Sequence, residues 1–115
     1  MTDSDAVVTV ITSLGTEQQA IEVAERLVGD HLATCVNIVP CTRTIYRWHN
    51  DRICDDTELL LIIKTTKARE QEVLEAAARI NNYEIPEVMG TGAVAVDATG
   101  AWIAAMTADP ESHPR

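Results

Sequence analysis

The run RTIYRWHNDRICDDTELLLIIKT (residues 43–65) reads as two β-strands folded back on one another. Arg43 to Trp48 and Arg52 to Thr65 flank Asn50-Asp51, a polar pair suited to a two-residue hairpin loop. Pairing outward from that turn sets Arg43 against Glu58, Trp48 against Ile53 and Arg47, not Cys41, against Cys54, so the hairpin offers no natural disulfide. Within the second arm, Leu59-Leu60-Leu61-Ile62-Ile63 is apolar at consecutive positions and hence on both faces of its strand, which requires both faces to be covered. Arms of about 14 residues at roughly 3.3 Å each reach about 45 Å, against a radius of gyration of about 13 Å for a domain of this size. Such a hairpin overhangs its own domain and is expected to pair with, or wrap, a neighbouring chain.

Upstream, Ala6 to Thr12 is rich in β-branched residues and predicts a strand, with Ser13-Leu14-Gly15 as a turn. Thr16 is placed as an N-cap, Gln19 completing a capping box, for a helix that carries Ala20, Ile21, Ala24, Leu27 and Val28 inward and stops at Gly29. A further strand covers Ala33 to Pro40, with Cys35, Asn37 and Val39 on one face, and Pro40 is expected to bend or bulge it. Downstream, Thr66 is read as the cap of a second helix with Val73, Leu74, Ala77 and Ile80 inward, Glu75 and Arg79 paired outside, and Asn81-Asn82 at its end. A last strand is expected over Val88 to Val96 and a short helix over Trp102 to Met106.

The order strand, helix, strand, strand, helix, strand is the split βαβ pattern of a ferredoxin-like α+β sandwich. The two helices cover one face of its sheet, so a second subunit is the natural cover for the other. Residues 1–108 read as one domain, and 109–115, with two prolines and no apolar periodicity, as a disordered tail.

Composition bounds the function. The chain has 115 residues, 9 Lys+Arg against 18 Asp+Glu, a net charge of -9 and only 3% aromatic residues. Few bulky groups make a thin monomer core and favour oligomerisation, and the negative balance opposes nucleic acid as a partner. The apolar run from Ala6 to Ile11 is too short for a membrane span, and a cytoplasmic location is expected. Three cysteines without zinc-site spacing read as reduced thiols.

Four further pieces carry a resemblance. Leu32 to Pro40 (LATCVNIVP), Tyr46-Arg47-Trp48, Glu58 with Leu61 to Thr66 (LIIKTT), and Tyr83-Glu84-Ile85-Pro86-Glu87 occur in the order and spacing of the CutA divalent-cation tolerance family, which the sequence resembles over residues 7 to 106. The resemblance implies a ferredoxin-like subunit, a homotrimer built by edge-to-edge strand pairing as in PII-type signalling proteins, and an association with copper and other divalent cations. Asn81-Asn82 stands where the family commonly has His-Pro; an amide is a poor Cu or Zn ligand, so no obligatory cofactor is expected and the change counts against metal at that locus. The family's hairpin glycine is replaced by Asn50-Asp51, and its C-terminal Tyr-Leu-x-Trp by Trp102-Ile103-Ala104-Ala105.

Candidate ligand groups each have two readings. Cys35 is a soft-metal ligand or a small buried strand residue. Lys64 holds an anion or an ion pair with Glu58, Glu84 or Glu87. Tyr83, Glu84 and Glu87 form the lip of a cation or small-ligand cleft, Glu87 as a metal ligand, or an interface loop. Tyr46 and Trp48 line an inter-subunit cleft or anchor an interface. His31, His49 and His113 stand apart from other ligands, and Gly90-Thr91-Gly92, followed by a strand, is not a dinucleotide fingerprint. No nucleophile-base or paired-carboxylate motif is legible, so no catalysis is expected. Three functions remain open: divalent-cation tolerance through cation binding or a protein partner, a PII-like sensor of a small anionic metabolite or nucleotide, and a trimer that is chiefly a rigid scaffold.

Overall fold

The computed structural model describes residues 3–81 and 83–108; the expected tail, with His113, and Asn82 lie outside them. Four strands, β1 (Val7–Leu14), β2 (Cys35–Trp48), β3 (Arg52–Thr66) and β4 (Val88–Gly92), form one antiparallel sheet in the order β2-β3-β1-β4. Helices α1 (Glu17–Gly29) and α2 (Glu70–Ile80) follow β1 and β3, and α3 (Asp97–Met106) ends the described chain. This is the ferredoxin-like arrangement expected from the element order.

Alternation along β1 and β3 places Val8, Val10, Leu14, Leu61 and Ile63 in the core, against Ala20, Val23 and Leu27 of α1 and Val73 and Ala76 of α2. Small alanines let the helices sit close, and no aromatic ring enters this cluster. Thr16 caps α1 as expected, its Oγ1 accepting from the Gln19 amide at 3.2 Å. The inner stripe of α1 is narrower than expected: Val23 replaces Ile21 and Val28, which are exposed on the flank.

The second helix starts later than its expected cap. Lys67 and Ala68 donate their amides to the carbonyls of Ala6 and Ser4 at 2.9 and 3.0 Å, holding residues 67–69 in a turn, and the helix begins at Glu70. Glu75 meets Gln71, whose Nε2 donates to Oε1 at 3.1 Å. β4 closes at Gly92, short of Val96, while α3 begins at Asp97, earlier than Trp102. Thr34 Oγ1 and Arg69 Nε donate to the carbonyls of Ile103 and Thr107 at 3.1 and 2.8 Å, anchoring α3 and satisfying carbonyls at its C-terminal end.

On the sheet face away from the core, Ile11 lies opposite Ile62 and Val39 opposite Leu60, all partly exposed. The hairpin stretches the chain to 50 Å along its longest axis, with a radius of gyration of 15.1 Å.

The hairpin register differs from expectation by one residue. Its loop is the three-residue turn His49–Asp51, with Asn50 and Asp51 left-handed at φ 63° and 61°, so Trp48 pairs with Arg52, Tyr46 with Cys54 and Arg43 with Thr57. Arg43 consequently bonds Asp55 (Nη2 to Oδ2, 2.6 Å) rather than Glu58. A β-bulge at Pro40-Cys41, with Cys41 at φ 58°, absorbs one extra residue between the Val39–Leu60 and Thr42–Glu58 pairs. The bulge inverts the alternation of β2: Val36 and Ile38 pack on the core, whereas Thr42, Tyr46 and Trp48 face the opposite side, together with Glu58.

Candidate functional site

Those inverted positions build one wall of a cleft of about 520 Å³, lined by Thr44, Tyr46, Arg47 and Trp48 of β2, Asp56 and Glu58 of β3, Ser13 of β1, and Tyr83, Glu84, Ile85 and Glu87 of the loop before β4. The loop is held by its backbone. Asn81 Nδ2 donates to the Ser13 carbonyl at 3.2 Å, its Oδ1 accepts from the Tyr83 amide at 2.8 Å, and Thr12 Oγ1 donates to the Glu87 carbonyl at 2.7 Å. With 6% of its surface exposed, Asn81 is a structural pin.

Two phenol-carboxylate pairs follow. Tyr83 Oη donates to Glu58 Oε2 at 2.6 Å and Tyr46 Oη to Asp56 Oδ2 at 2.5 Å. Gly15 makes room for the first, since a Cβ there would lie 3.0 Å from the Tyr83 hydroxyl. The Tyr46 and Trp48 rings meet edge to face at 6.1 Å, and the His49 ring lies 4.5 Å from Trp48, tilted by 47°, while its Nε2 lies 3.5 Å from Glu84 Oε1. Arg47, the cleft's one cationic lining residue among those described, is tied to Asp51 at 2.6 Å.

Both phenols resist ionisation. Hydrogen bonding to Asp56, then desolvation, pushes Tyr46 up to about 12, and burial, then the bond to Glu58, pushes Tyr83 higher still. The unfolded phenols ionise near 10, so the folded state binds more protons above that pH. The contribution is fully present below about pH 10 and is lost as pH rises toward the folded values. Absorbance at 295 nm should therefore show neither tyrosine ionising at pH 10 until the chain unfolds, and Glu58→Gln should lower Tyr83 only in part, because burial, the larger cause, remains.

The cleft unites six of the seven residues singled out as its candidates: Tyr46, Trp48, Glu58, Tyr83, Glu84 and Glu87. Lys64 is not among them. It lies on the same sheet face, but six residues or about 20 Å along β3 from Glu58, opposite Thr9 and Cys35. Cys35 is half-buried there with a free thiol, and no group of three or more His, Cys, Asp or Glu side chains converges among the described residues. Asp56 escaped the sequence reading because the one-residue slip placed it on the wrong face; the even spacing 54, 56, 58 opposite 42, 44, 46 was its only signal.

Comparison with known proteins agrees with this fold. The family model described as CutA1 divalent ion tolerance protein matches residues 8–106. The divalent-cation tolerance protein CutA of Thermus thermophilus is 38% identical over 80 residues, covering 70% of this chain and 77% of that protein. A CutA homolog of Danio rerio is 38% identical over 74 residues, 64% of this chain and 49% of its own length. The crystal structure of the divalent ion tolerance protein CutA1 from Ehrlichia chaffeensis superimposes with a TM-score of 0.84 at 26% identity, covering 90% of this chain and 96% of that one. With nearly all of its sheet and helices inside the matched span, the chain belongs to the CutA1 divalent ion tolerance protein family.

Proposed function

We propose that the protein is a homotrimer that serves in divalent metal ion (copper) tolerance by weak cation binding, not catalysis, at the hairpin cleft. The observation that carries this reading is the sign of the cleft: Asp56, Glu58, Glu84 and Glu87 face a single guanidinium already held by Asp51. Such a field concentrates cations and repels phosphate. It speaks against the PII-like alternative of an anionic metabolite or nucleotide, since Lys64, the residue that reading relies on, stands outside the cleft. The trimer is supported by the uncovered apolar face at Ile11, Leu60 and Ile62. A reducing, cytoplasmic setting is supported by free thiols at Cys35, Cys41 and Cys54. No helix among the described residues is long and apolar enough to cross a membrane.

Calorimetric titration with Cu²⁺, Zn²⁺ and a nucleotide panel tests the assignment. Saturable heats are expected for the metals and none for nucleotides, and the double change Glu84→Gln, Glu87→Gln should weaken metal binding about tenfold, roughly 1.4 kcal/mol. A nucleotide heat abolished by Lys64→Ala would overturn it.

A further inference from the structure

We draw no further inference here: the strongest candidate, the exposed apolar patch of Val94 and Val96 in the segment between β4 and α3 together with Trp102 and Met106 on α3, has nothing in the structure to show what covers it.

Discussion

Leu61→Ala is expected to lower the unfolding free energy by about 2–5 kcal/mol, the usual cost of emptying a closed core site. Leu61 has no exposed surface and sits between both helices and the sheet, so nearby groups cannot collapse into the space without moving β1 or α1. The measurement is a urea midpoint that falls at every protein concentration with an unchanged slope. Leu60, one residue earlier, points to the opposite face and is partly exposed. Its replacement by Asp should act on assembly instead: the mass by light scattering falls from the value of the proposed trimer, about three times 12.6 kDa, toward 12.6 kDa, and the midpoint loses its dependence on concentration. A Leu60→Asp protein that keeps the larger mass would show that the open face is not the subunit contact.

That adjacent leucines point to opposite faces of the sheet was legible in the sequence, because side chains of a consecutive apolar run alternate along a strand. Thr16 and Gln19 announced the start of α1 for a similarly local reason, a side chain meeting an amide three residues on. What stayed hidden depended on backbone conformations and distant partners. Asn50, Asp51 and Cys41 all adopt left-handed φ without being glycine, and nothing in their side chains distinguishes a two-residue loop from a three-residue one. Since side chains alternate with a period of two, that single residue decided whether Asp56 or Asp55 stood beside Tyr46. Thr66 has the chemistry of a cap, but the carbonyls of Ser4 and Ala6 claim the amides that would have opened the helix there.

Asn81 shows the same limit at the site itself, where a residue that marks a helix end locally acts as a bridge between segments 68 positions apart in the chain. Asn81→Ala is expected to cost about 1–3 kcal/mol, the penalty for leaving buried polar groups unpaired. The low end applies if water reaches the Tyr83 amide, whose residue is 38% exposed. Because the pin sets the loop, the phenol should also lose its aim: Tyr83 would titrate closer to 10 by absorbance at 295 nm, and cation affinity in the cleft would fall without any ligand-contacting side chain having been altered. Asn81→Asp separates the two bonds. The carboxylate still accepts from the Tyr83 amide but faces the Ser13 carbonyl with no proton to give, so at pH 7 it should be no more stable than the alanine variant. Once protonated the carboxyl donates as the amide did. Its destabilisation should therefore shrink as the pH is lowered to 4, measured relative to the unsubstituted protein at each pH. Equal destabilisation at both pH values would mean that the Ser13 bond contributes nothing and that the loop is held by the Tyr83 and Glu87 contacts alone.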